Sequence, residues 1–229
     1  MNQQAISHVF FDLDHTLWDF ERNSAMAFET IFDKLKIEVR IVDFLEQYVP
    51  INLKYWELFR SDKITQKELR YGRFKEAFDN IEYAIDDETI FLLSEEYINC
   101  LPLNNHLFEG TIELLEYLKP RYELHIITNG FADLQNKKLQ NSNISHFFNT
   151  VTNSESAGVK KPNPLIFEHA LESAKAKREN SIMIGDCIDA DVNGALNCGI
   201  DAIYFNINNL VADEKIKQIK HLSELKNFL

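Results

Sequence analysis

Basic residues are in short supply here. Twenty-four Lys and Arg stand against 36 Asp and Glu, giving a formal net charge of −12. A nucleic-acid binder needs a clustered basic footprint, and no such cluster occurs. A protein this acidic has to build local positive charge wherever it binds an anion. Cysteine is scarce as well. Cys100, Cys187 and Cys198 make an odd number without metal-ligand spacing, which argues against a disulfide framework. No apolar run approaches the roughly 20 residues of a membrane-spanning helix. The opening Met1-Asn2-Gln3-Gln4 lacks the basic and apolar regions of a signal peptide. The expectation is a soluble, reduced, cytoplasmic protein with neither nucleic acid nor membrane as partner.

Glycine and proline are unevenly spread. Of seven glycines and five prolines, only Gly72 and Pro50 fall between Asp19 and Leu101. Apolar residues in that stretch recur at helical spacing: Phe28, Ile31, Phe32 and Leu35, then Ile41, Phe44, Leu45 and Tyr48. Thr65-Gln66-Lys67-Glu68 is a capping-box pattern. Asp86-Asp87 place acids at a helix start. The stretch reads as four or five helices and no strands. With 229 residues, the chain suits one large domain or a domain carrying an insertion.

Outside that stretch the texture alternates. Strands are expected at Val9–Phe11, Glu123–Thr128, Asn149–Asn153, Ser181–Ile184 and Asp201–Phe205. Helices are expected at Thr111–Leu118, Ala132–Gln140, from Pro164, from Ala190 to near Gly199, and over Asp213–Lys220. Asn163 before Pro164 reads as an N-cap with proline at the first helical position. This alternation means an α/β fold, a doubly wound parallel sheet. Residues 1–17 and 106–229 would form the core. Residues 18–105 would form a helical cap inserted after strand 1, above its carboxyl end.

The chemistry gathers at strand ends. The buried run Val9-Phe10-Phe11 stops at Asp12-Leu13-Asp14. Two partly desolvated carboxylates repel and lose hydration. A divalent cation such as Mg²⁺, which takes oxygen ligands, offsets that cost; solvated aspartates at a strand end are the plainer alternative. Thr128-Asn129-Gly130 offers a hydroxyl and backbone N–H groups to phosphate oxygens. Lys160-Lys161-Pro162-Asn163-Pro164 puts positive charge before a helix N-terminus. Gly185-Asp186, with Asp189 and Asp191, is a third acidic cluster.

Taken in order, Asp12-x-Asp14-x-Thr16-Leu17, Thr128-Asn129-Gly130, Lys161 in Lys-Pro-x-Pro, and Gly185-Asp186-x-x-x-x-Asp191 resemble the haloacid dehalogenase superfamily of hydrolases. The resemblance covers nearly the whole chain. His15 and Cys187 depart from the commoner Gly or Asn and Ser. The opening through Trp18-Asp19-Phe20 is similar to the bacterial pyrimidine 5′-nucleotidase branch.

That resemblance implies a Mg²⁺-dependent phosphoric monoester hydrolase. Its substrate would be a small phosphate monoester, foremost a pyrimidine nucleoside monophosphate, with sugar phosphates as the alternative. A non-catalytic binding protein is the third reading. Asp12 is implied as nucleophile and Asp14 as general acid and base. Mg²⁺ would be held by Asp12, the Asp14 backbone carbonyl and Asp186, with Asp191 orienting the metal's surroundings. Thr128, Asn129 and Lys161 would bind phosphate. Trp18 is a candidate contact for the nucleobase. Monomer and dimer both remain open.

Overall fold

The computed structural model describes residues 5–229. The leader expectation, which rests on Met1–Gln4, lies outside them. In chain order, β1 (His8–Phe11) precedes four helices: α1 (Phe20–Leu35), α2 (Ile41–Arg60), α3 (Gln66–Asn80) and α4 (Asp87–Cys100). There follow α5 (Thr111–Leu118), β2 (Glu123–Thr128), α6 (Ala132–Asn141), β3 (Thr150–Asn153), α7 (Ser154–Ala157) and α8 (Pro164–Ala174). The chain then runs through β4 (Ser181–Gly185), a π-helical turn (Ile188–Asn193), α9 (Gly194–Asn197), β5 (Asp201–Phe205) and β6 (Gln218–Ile219). None of the described helices is long and apolar enough to cross a membrane.

The chain forms two compact units. One runs up to Asp19 and resumes at His106; the other is Phe20–Asn105. The first holds a six-stranded parallel sheet in the order β3-β2-β1-β4-β5-β6. β1 is central: Val9 pairs with Leu124 on one side and Ile182 on the other. Its three apolar residues are buried, as a strand covered on both faces requires. Phe10, Ile127 and Met183 pack with Ile166 and Phe167 of α8. The backbone ladder continues one residue past β1, where the Asp12 N–H donates to Ile184 O at 2.9 Å. That bond fixes where the first carboxylate leaves the sheet.

The helical unit is built on aromatic packing. Phe28 meets Phe44 at 4.9 Å, Tyr48 at 4.7 Å and Tyr97 at 4.8 Å between ring centres. These residues come from α1, α2 and α4, so the apolar spacing read in the sequence is the seam between helices. Thr65 and Glu68 form the reciprocal capping box of α3, and the Asp86 side chain caps α4. Arg73 is buried on the aromatic rings, 4.8 Å from Phe74 and 5.1 Å from Tyr97, and donates to Asn52 Oδ1 at 2.8 Å.

Two expectations change. The unit boundary falls after Asp19, not before Trp18, because Trp18 bridges to both Asp14 and Leu107. The helix expected over Asp213–Lys220 is absent. Its place is taken by β6, whose Ile219 is buried, and the β5–β6 ladder is extended by Tyr204 N–H to Lys217 O at 2.8 Å. Ile216 and Ile219 alone make too narrow a stripe to bury a helix, and the β5 edge needed backbone partners.

Candidate active site

All the motif residues converge at the carboxyl end of β1. Lys161 is the hub. Its ammonium lies 2.7 Å from Asp12 Oδ1, 2.7 Å from Asp191 Oδ1 and 2.6 Å from Ile127 O. An ammonium has three hydrogens, and three acceptors surround this one. Asp12, Asp186 and Asp191 each bring a carboxylate oxygen within 4.8 Å of the others. Three carboxylates therefore face one buried ammonium.

The electrostatics follow from that imbalance. Burial pushes Asp12 well above the usual carboxylate range; Lys161 opposes the rise, and Asp191 and Asp186 add to it. Burial likewise raises Asp186, to about 7, with Asp191 adding and Lys161 opposing. Burial alone would lower the Lys161 ammonium, but Asp12 and Asp191 hold it above the usual lysine range. A cluster with surplus negative charge and hard oxygen donors suits a divalent cation of the Mg²⁺ type.

Local structure places each group. Asp191 leaves the π-helical turn and accepts the Cys187 N–H at 3.0 Å. A side chain at Gly185 would meet Asp191 Oδ2 at 2.3 Å, so only glycine admits that carboxylate. Thr16 is buried and donates to Asp186 Oδ1 at 3.3 Å. His15 turns the loop with φ of 62°, a left-handed conformation that glycine and asparagine also favour. Asn129 uses its side chain on the Lys161 backbone, donating to its O at 3.0 Å and accepting its N–H at 2.7 Å. Asp189 is exposed and bonded to Asn193.

Asp14 reaches the other way, toward α6. Its Oδ1 lies 2.6 Å from the Lys138 ammonium, and its Oδ2 accepts from Gln135 Nε2 at 2.9 Å. Gln135 and Lys138 are both buried, and neither was expected from the sequence. Asn136-Lys137-Lys138 is a polar run of the kind that ordinarily lies on the solvated face of a helix. The available signal was spacing: Phe131, Gln135, Lys138 and Ser142 recur at three to four residues, directly after Thr128-Asn129-Gly130.

The structure leaves Trp18, the candidate nucleobase contact, no exposed surface. It is wholly buried, its indole N–H donates to Ser142 Oγ at 3.1 Å, and the Lys138 ammonium lies 4.4 Å from its ring centre. A ring without exposed surface and with a cation against it offers nothing for a base to stack on.

A parallel α/β sheet with an acidic cluster at the carboxyl end of its central strand has the ligand-site placement of an open α/β fold. The haloacid dehalogenase-like hydrolase family model matches residues 6–199, and the chain belongs to that family. Among its relatives, the pyrimidine 5′-nucleotidase YjjG of Escherichia coli is 30% identical, covering 96% of each chain. The glyceraldehyde 3-phosphate phosphatase of Methanothermobacter thermautotrophicus is 29% identical, covering 96% of this chain and 98% of its own. The magnesium-bound crystal structure of the HAD-hydrolase YfnB from Bacillus subtilis superposes with a TM-score of 0.89 at 29% identity, covering 99% of each chain.

Proposed function

We propose that the chain is a Mg²⁺-dependent phosphomonoesterase that works through an aspartyl-phosphate, with pyrimidine nucleoside 5′-monophosphates as preferred substrates. The observation that carries the reaction class is the pairing of two carboxylates with different surroundings. Asp12 lies in the metal-seeking cluster. Asp14, two residues on, is held apart from it by α6. A haloacid dehalogenase attacks carbon and releases halide, which needs no proton. The alcohol of a phosphate ester departs as an alkoxide and does need one.

In the first step Asp12 forms a bond to phosphorus as the ester P–O bond breaks. The leaving oxygen takes the proton of Asp14. In the second step water attacks phosphorus and gives its proton to Asp14. The bond from Asp12 to phosphorus breaks and orthophosphate departs. Thr128 donates its hydroxyl to a phosphate oxygen, and the Asn129 N–H adds a second donor. Lys161 supplies positive charge to the phosphoryl group. Asp12, the Asp14 backbone carbonyl and Asp186 would hold Mg²⁺, and Asp191 would orient that set through Lys161. When bound, the metal shields the attacking carboxylate from the phosphate charge.

The substrate reading is supported by the nucleotidase relative and by the similarity through Trp18-Asp19-Phe20. The archaeal sugar-phosphate relative, at nearly equal identity, favours the alternative of triose and sugar phosphates. Phosphate release from UMP, dUMP, dTMP, purine monophosphates, sugar phosphates and p-nitrophenyl phosphate, with Mg²⁺ and with chelator, decides between them. Mg²⁺-dependent release strongest for the pyrimidine nucleotides is expected. A sugar-phosphate preference would discard the substrate, and no release at all would discard the reaction class.

A further inference from the structure

Gln135 occupies an unusual position. It is fully buried, and its single amide nitrogen lies between two acceptors, 2.9 Å from Asp14 Oδ2 and 2.7 Å from Thr128 Oγ1. Its Oε1 is buried with no hydrogen-bond partner among the described residues. The ionised Asp14 carboxylate only accepts, so the nitrogen faces it and the carbonyl oxygen is left over. A fold selected for stability alone would satisfy that oxygen. The backbone has also been cleared for this side chain: a Cβ at Gly130 would lie 2.4 Å from the Gln135 amide.

The contact has a directional consequence. Thr128 Oγ1 accepts from Gln135 and from the Gly130 N–H, at 2.7 and 3.1 Å. A hydroxyl has two lone pairs and one hydrogen, so with both pairs used it can only donate. Gln135 therefore sets Thr128 as a donor, the polarity a phosphate oxygen requires. On the other side, Lys138 and Gln135 grip one oxygen each of Asp14. Each carboxylate oxygen keeps a second lone pair, so the two contacts orient the group without using up its oxygens.

We propose that Gln135 and Lys138, one turn apart on α6, are positioning residues for the reaction described above. They aim Asp14 at the leaving oxygen, and Gln135 also locks Thr128 as a phosphate donor. Neither touches the reacting atoms. This inference rests on the phosphomonoesterase reading and adds to it a division of labour: Lys138 serves only leaving-group departure, whereas Gln135 serves departure and phosphate binding together.

The test compares two monoesters on the full chain with saturating Mg²⁺. The nucleoside of a 5′-monophosphate leaves as an alkoxide and depends on Asp14. p-Nitrophenolate is a stable anion and departs without a proton. Lys138→Met should lower kcat for the nucleotide by about 100-fold and for p-nitrophenyl phosphate by less than about tenfold, the span of general-acid assistance. Its inhibition constant for inorganic phosphate should stay near wild type. Lys138→Arg should recover nucleotide turnover to within about tenfold. Gln135→Met, close in volume, should give the same substrate split and also weaken inhibition by inorganic phosphate, by up to about tenfold. It carries the test by itself if Lys138→Met does not fold. Equal losses on the two substrates in either folded variant would overturn the proposal, because a merely structural role cannot distinguish leaving groups. Wild-type protein inactive on both substrates would instead overturn the phosphomonoesterase reading.

Discussion

Replacing Lys161 by Met tests the electrostatics of the site directly. The substitution removes the ammonium that pairs with both Asp12 and Asp191 and leaves those carboxylates buried beside Asp186. Breaking a buried ion pair from one side costs about 3–5 kcal/mol, since the remaining charge is left uncompensated. For a chain of this length each kcal/mol moves Tm by roughly 2–4 °C, so a fall of about 6–20 °C is expected in chelator. Mg²⁺ should then return part of the loss. A ligand at 100 times its Kd contributes about 2.7 kcal/mol, and the variant presents the metal with more uncompensated negative charge than the wild type does. The assay is thermal denaturation followed by circular dichroism, with EDTA and with excess Mg²⁺. A variant Tm within about 2 °C of wild type in EDTA would refute the charge ledger behind that range. So would a Mg²⁺-induced rise that is no larger in the variant than in the wild type.

Three further outcomes follow from the same structure. Burial, with His8 and Lys119 adding, lowers His125 to about 4. A histidine kept neutral by the fold contributes stability that is fully present above its unfolded pKa of about 6.5 and lost as pH falls toward 4. The Tm difference between wild type and His125→Gln should therefore shrink from pH 7 to pH 4.5, and a constant difference would contradict the assignment. Trp18→Ala should cost about 3–5 kcal/mol by urea denaturation and should change KM for a nucleotide and for p-nitrophenyl phosphate alike; a selective effect on the nucleotide would return Trp18 to base recognition. Gly130→Ala should lower kcat on the nucleotide by at least about tenfold, because the new methyl drives Gln135 off Thr128 and Asp14, and unchanged turnover would show that the approach is not needed.

The alternating texture exposed the sheet because its strands are buried on both faces and read as unbroken apolar runs. Val9–Phe11 and Ser181–Ile184 could hardly be anything else. The helical unit was legible for the opposite reason: its aromatic residues return every three or four positions. The acidic groups at the candidate site were legible because carboxylates at buried strand ends are costly and therefore conspicuous. Gln135 and Lys138 were not, since a polar residue on a helix is ordinary until the surface it faces is known. Trp18 misled for a related reason. Adjacency to the catalytic loop suggested exposure, but the loop folds back on Leu13, whose carbonyl accepts from the N–H groups of Leu17 and Trp18, and carries the indole inward. The strand β6 escaped because two residues that complete a sheet edge have no periodicity of their own.

The most direct test of the account is to trap the covalent intermediate. A phosphate-labelled nucleoside monophosphate would be turned over with Mg²⁺, quenched in acid, and the protein digested and mapped. The account predicts label on the peptide that carries Asp12, released by hydroxylamine as an acyl phosphate should be, and none on Asp12→Asn. Label on any other residue, or phosphate release by Asp12→Asn at the wild-type rate, would contradict it.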